Sequence, residues 1–242
     1  MIQKKKVLNV PLLEYYDESL INYKGIVFLI HGHTGNKEFI GLQSLPLGFM
    51  KRGYFVVSVD AYKHGERIEE PYLTNSYLEM TLAMPEVVSH TTQDIIDLFE
   101  AVYSKISRTL IVCGTSMGGH IAFQIPAHYP AVDAIFPIIG TPDIQSHYYE
   151  TKNQFLGVKI SLVRALVNQL RISDIEPYLD PIIGIYNGSL DSTVEIQYVR
   201  PFYQKLKSKK PCHLEMKEYP VGHQVTNEML TDLFAFLDKE ME

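Results

Sequence analysis

The chain has 242 residues, a formal net charge of −6, 46% hydrophobic residues and 21% charged residues. That balance is ordinary for a folded globular chain and excludes disorder, while the negative charge argues against a nucleic-acid or anionic-membrane surface. No apolar run reaches the roughly 18–20 residues of a membrane span, and two cysteines are too few for a disulfide framework.

The basic start Lys4-Lys5-Lys6 runs into Val7-Leu8-Asn9-Val10-Pro11 rather than a long apolar stretch, so a signal peptide is not expected. These bounds predict a soluble, cytoplasmic chain forming one domain over residues 1–242, with a homodimer compatible and neither nucleic acid nor membrane as partner. Five short apolar runs follow in order: Ile26–Ile30, Phe55–Val59, Thr109–Val112, Ala134–Ile139 and Pro181–Tyr186. A weaker one is Cys212–Met216. Their continuity, rather than alternation, predicts parallel strands covered on both faces. The segment from Val7 to Tyr15, continued to Leu20, predicts an antiparallel hairpin at the sheet edge.

Amphipathic segments lie between the runs. Ile95, Ile96, Phe99 and Val102 predict a helix over 92–104. Met117–His128, Val194–Leu206 and Asn227–Lys239 complete a strand–helix alternation, so the expected fold class is α/β with a mostly parallel sheet flanked by helices. In such sheets reactive groups gather at the carboxyl ends of the strands. Residues 141–177 are too many for a plain crossover. Phe155, Val158, Leu162, Leu166 and Leu170 mark a helical stripe there. The segment reads either as an ordinary crossover helix with a long loop or, by preference, as a small helical cap. In the cap, Tyr148, Tyr149 and Phe155 shape a pocket.

Chemistry concentrates at Gly114-Thr115-Ser116-Met117-Gly118, a G-x-S-x-G between a strand and a helix. Serine at such a turn is strained by about 1–3 kcal/mol, and side chains at 114 and 118 would collide with neighbouring elements. The turn projects the Ser116 hydroxyl above the sheet beside the first helical amides. After the strand ending at Ile30 comes His31-Gly32-His33-Thr34-Gly35. Acyl transfer needs two donors aimed at the developing oxyanion, and the candidates are the backbone amides of His33 and Met117. His31, with Gly32, is expected to brace this loop. A metal pair of His31 and His33 competes, but zinc would want a third ligand and none is obvious.

A serine hydroxyl needs a base, and the base an orienting acid. On this kind of sheet the chain order is serine, acid, histidine. Asp191, in the loop after Pro181–Tyr186, is the preferred acid, with an N-cap role as its alternative and Asp143 as its rival. Of the nine histidines, His223 lies between the last strand and the last helix, where a loop can return an imidazole over the sheet.

With Ser116, Asp191 and His223 in order and the 31–35 turn, the chain resembles the α/β-hydrolase superfamily from about Lys24 onward. The likeness is nearest to small bacterial serine esterases allied to dienelactone hydrolases and to the catalytic domain of prolyl oligopeptidases. The stretch Asp60-Ala61-Tyr62-Lys63-His64-Gly65-Glu66-Arg67 matches the Asp and Gly-containing loop of those proteins. Dienelactone hydrolases themselves use a Cys nucleophile, where this chain has Ser116. The resemblance implies a cofactor-free hydrolase of small-molecule esters with a cap after the sixth strand. An amidase or peptidase using the same residues, and a non-catalytic binding protein of this fold, are the alternatives.

Overall fold

The computed structural model describes residues 1–41, 44–68, 77–147, 160–211 and 213–241. Eight strands pair into one sheet: β1 (Ile2–Val7), β2 (Val10–Tyr15), β3 (Ile26–Ile30), β4 (Phe55–Val59), β5 (Leu110–Thr115), β6 (Ala134–Ile138), β7 (Ile182–Gly188) and β8 (Leu214–Tyr219). Their spatial order is β1-β2-β4-β3-β5-β6-β7-β8. The pairs β1–β2 and β2–β4 are antiparallel, and every later pair is parallel. The helices include α1 (Lys37–Gly41), α2 (Leu45–Met50), α3 (Tyr77–Ala101), α4 (Met117–His128), α5 (Ile160–Gln169), α6 (Arg200–Ser208) and α7 (Asn227–Glu240).

All five β3 residues are buried, because successive side chains point to opposite faces and both faces are covered. Ile26, Phe28 and Ile30 join the core cluster that holds Val87, Ile95 and Phe99 of α3 and Ile121 of α4. Val27 and Leu29 join the other, with Leu45 and Phe49 of α2 and Met229 and Leu233 of α7. Burying each such side chain contributes about 1.5–3 kcal/mol, so the continuous apolar runs are what two covered faces require.

The edge hairpin lies earlier than the expected span. Its arms are Ile2–Val7 and Val10–Tyr15, with Val7 opposite Val10, and residues 17–24 carry no strand. Leu8 and Asn9 both take positive φ, 47° and 65°, the conformation a two-residue hairpin turn demands. Leucine rarely adopts it, so composition gave little sign of the turn. The three lysines therefore line an edge strand, where their charge discourages pairing with another chain. Lys5 reaches Glu14 at 2.6 Å.

Helix boundaries shifted in two places. The helix expected over 92–104 begins at Tyr77 and carries Pro85 within it, and its far end tightens into a 3₁₀ turn at Tyr103–Lys105. The helix expected over Val194–Leu206 is a 3₁₀ turn at Ile196–Tyr198 followed by α6, which has Pro201 in its first turn. Helices α1 and α2, too short to show periodicity, were not expected. Within 141–177, Val167 and Leu170 at the end of α5 are buried in the first core cluster. Tyr148, Tyr149, Phe155 and Val158 lie outside the described residues. Among the described residues no helix is long and apolar enough to cross a membrane.

Candidate active site

β5 delivers Ser116 at its carboxyl end, and α4 begins one residue later. Ser116 sits at φ 54°, ψ −113°, outside the regions open to ordinary residues. A Cβ on Gly114 would come within 2.1 Å of the Gly118 carbonyl oxygen, and one on Gly118 within 2.2 Å of the Ile30 oxygen. Both are backbone atoms that cannot swing away, so the turn is closed to any larger residue. The Ser116 N–H donates to the Ile138 carbonyl at 2.8 Å, which ties the turn to β6.

Three side chains meet above this turn. Ser116 Oγ lies 2.8 Å from His223 Nε2, and His223 Nδ1 lies 2.7 Å from Asp191 Oδ2. The other carboxylate oxygen, Oδ1, accepts the backbone N–H groups of Thr193 at 2.8 Å and Val194 at 2.9 Å. Burial pushes the Asp191 pKa up, but hydrogen bonds from His223 and from those amides outweigh it and hold the group below its ordinary value. An ionised carboxylate only accepts, so His223 Nδ1 carries the proton and Nε2 offers its lone pair to the serine. The N-cap role that competed for Asp191 is not what the structure shows: its other oxygen ties down loop amides, and the next helical turn begins only at Ile196, behind Glu195. Asp143 points elsewhere: it accepts from the Ser146 N–H and caps a short helical turn.

The loop after β3 lies against the serine. A Cβ on Gly32 would touch Ser116 Cβ at 3.4 Å, and the Gly35 N–H closes the turn onto the Gly32 carbonyl at 3.0 Å. The His31 ring is fully buried. Its Nε2 accepts the Ala61 N–H at 3.1 Å, so Nδ1 carries the hydrogen and donates to the Gly32 carbonyl at 2.7 Å. Burial, more than any neighbour, lowers its pKa to about 4. With both nitrogens committed to the backbone, His31 has no lone pair for a metal. Among the described residues no group of three or more His, Cys, Asp or Glu could hold one. At α4 the first amides have no intrahelical partner, and Met117 supplies the one next to the serine.

Gly32, His33, Thr34, Ser116 and His223 share a cavity of about 400 Å³, with Phe39, Ile139 and Val225 as its larger apolar walls.

A buried ion pair behind the loop was not legible in the sequence. Lys37 is 2% exposed and Asp60 fully buried. The Lys37 ammonium donates to Asp60 Oδ2 at 2.8 Å, and the Lys37 backbone N–H donates to Oδ1 at 2.8 Å. Oδ2 also accepts the Glu66 N–H at 2.9 Å. Gly65, at φ 56°, leaves no space for a Cβ, which would fall 2.2 Å from the Asp60 carboxyl. The Glu66 carboxylate, hydrogen-bonded to Lys37 and then to Lys4, is held down at a pKa of about 2. Asp60 was singled out from its loop motif. Lys37 carried no signal, because a lysine in a short helix ordinarily faces water.

The family model described as "Dienelactone hydrolase family" matches residues 17–232. A search of curated proteins returned no match. Among solved structures, TT1662 from Thermus thermophilus is similar at 22% identity and TM-score 0.77, covering 100% of this chain and 99% of that one. The Pyrococcus furiosus esterase Pf2001 is similar at 18% identity and TM-score 0.68, covering 100% and 91%. Est1E of Butyrivibrio proteoclasticus, solved with ferulic acid bound, is similar at 14% identity and TM-score 0.67, covering 98% and 97%. These likenesses identify the architecture as the α/β-hydrolase fold.

Proposed function

The chain belongs to the dienelactone hydrolase family, and from that premise we propose that it is a serine carboxylesterase cleaving small to medium acyl esters through an acyl-enzyme. The observation that carries this reading is the continuous hydrogen-bonded path from Ser116 Oγ through the His223 ring to the buried Asp191 carboxylate.

In this reading Ser116 Oγ attacks the ester carbonyl carbon as its proton passes to His223 Nε2. The tetrahedral oxyanion takes hydrogen bonds from the His33 and Met117 amides. Asp191 stabilises the imidazolium that has formed. The C–O bond to the alcohol then breaks, and His223 returns its proton to the departing oxygen. Water, activated by the same imidazole, hydrolyses the acyl-enzyme and restores the serine. His31 and Gly32 hold the oxyanion loop in place. Residues 141–177 leave β6 at the end of the sheet that carries Ser116, and in this reading they form a small cap within a single domain.

A fluorophosphonate probe tests the assignment. Intact mass should show one adduct, mapping to Ser116, and Ser116→Ala should lose both the adduct and about 10⁶-fold in kcat on a p-nitrophenyl ester. An unlabelled parent that turns over no ester points to a binding protein. Faster cleavage of a matched amide than of the ester points to an amidase.

A further inference from the structure

The residue after β6 breaks a backbone rule beside the site. Ile139 has φ 46°, a region that β-branched residues almost never enter because the branched Cβ crowds its own carbonyl. The surroundings impose it. The Ile138 carbonyl accepts the Ser116 N–H at 2.8 Å, and the Ile139 N–H donates to the Tyr186 carbonyl at 2.8 Å. One residue on, the Gly140 carbonyl accepts from the Asn187 side-chain amide at 3.0 Å, and the Thr141 N–H donates to His120 Nδ1 at 3.0 Å. Gly140 is pressed against α4, where an added Cβ would fall 2.7 Å from Gly119 Cα. Four consecutive residues are thus pinned, and the conformation would suit glycine. Strain retained where its neighbours over-determine it tends to mark function.

The isoleucine side chain has two neighbours. Ile139 belongs to the core cluster that includes Phe136, Ile138 and Tyr186, and it also lines the cavity that holds Ser116. Phe39 and Ile139 differ in depth. Phe39 is 54% exposed at the mouth, whereas Ile139 is 4% exposed and forms floor. Among the described lining residues there is no Asp, Glu, Lys or Arg, so a substrate group reaching that floor meets nothing that would compensate a charge.

We propose that Ile139 is the specificity-determining residue of this pocket: its side chain stops an uncharged, apolar substrate chain at the floor and so excludes longer esters. The proposal rests on the reading of Ser116 as nucleophile. Holding isoleucine in a glycine-like conformation places a branched side chain next to the serine on a backbone that cannot relax.

The test uses the full chain, with Ile139→Gly and the milder Ile139→Val. Two ester series, one of graded acyl length and one of graded alcohol length, are compared by the ratio of kcat/KM for long over short members. That ratio is independent of how much of a preparation is folded. In one of the two series the preferred length should rise by about one carbon in Ile139→Val and by several in Ile139→Gly, with about a tenfold gain per methylene admitted. A length profile unchanged in both variants and both series, with the parent active and labelled at Ser116, overturns this proposal alone. A parent that is neither labelled nor active on any ester overturns the esterase reading, and this proposal with it.

Discussion

The ammonium of Lys37 sits 2.8 Å from the carboxylate of Asp60, with the lysine 2% exposed and the aspartate fully buried. The pair joins the start of α1, just past the loop that faces Ser116, to the end of β4. Lys37 also pairs with Glu66, so the burden falls on Asp60: without the ammonium its buried carboxylate keeps only the backbone N–H groups of residues 37 and 66. Replacing a single partner of such a pair costs about 3–5 kcal/mol. Lys37→Met should therefore lower the melting temperature by roughly 10 °C, at about 2–4 °C per kcal/mol for a chain of this size. Thermal unfolding followed by circular dichroism checks it, and an unshifted midpoint would show that Asp60 finds another partner.

The Asp191 carboxylate divides its oxygens between the backbone and the histidine. Asp191→Asn can keep Oδ1 on the Thr193 and Val194 amides, which turns its NH₂ group toward His223 Nδ1. That nitrogen must then accept, the ring proton moves to Nε2, and the lone pair facing Ser116 is lost. The expected result is a folded protein with kcat lower by about 10⁴ and lower stability at neutral pH, because a carboxylate whose pKa is lowered on folding stabilises the fold in its ionised form. A variant within tenfold of the parent on a p-nitrophenyl ester would remove Asp191 from the mechanism.

His31 makes stability depend on pH. Buried and neutral, it titrates at about 4 in the folded chain against an ordinary 6.5. Between those values the unfolded chain binds a proton that the folded chain refuses. Stability from this residue is fully present above about pH 6.5 and declines as pH falls, by about 3 kcal/mol once the pH is below 4. Urea midpoints for the parent and His31→Gln, taken from pH 7 to pH 4, isolate the effect because other titrating groups are common to both. The parent should lose more stability across that window, and parallel curves would contradict the assignment.

The strand runs at 26–30, 55–59 and 134–139 were legible because a strand buried on both faces must be apolar at every position, whatever its neighbours are. Helix Met117–His128 was legible to the residue, since Ser116 and Pro130 bracket it. Short α1 and α2 were not, because five or six residues carry too little periodicity. Nor was the start of α3, which lies at Tyr77 rather than Thr92, with Pro85 inside the helix. The hairpin turn was missed because Leu8 adopts a conformation for which leucine has no preference.

The G-x-S-x-G turn and the serine–acid–histidine order of this kind of sheet singled out the hydroxyl, the carboxylate and the imidazole, because a tight strand-to-helix turn restricts its residues locally and the order of elements restricts the rest. Contact between residues 107 positions apart, as between Ser116 and His223, belongs to the tertiary structure. So do the burial of Lys37, the neutrality of His31 and the unusual backbone at Ile139. Each depends on which distant atoms surround a residue, and in a folded chain those atoms set solvation, hydrogen-bond partners and allowed backbone angles.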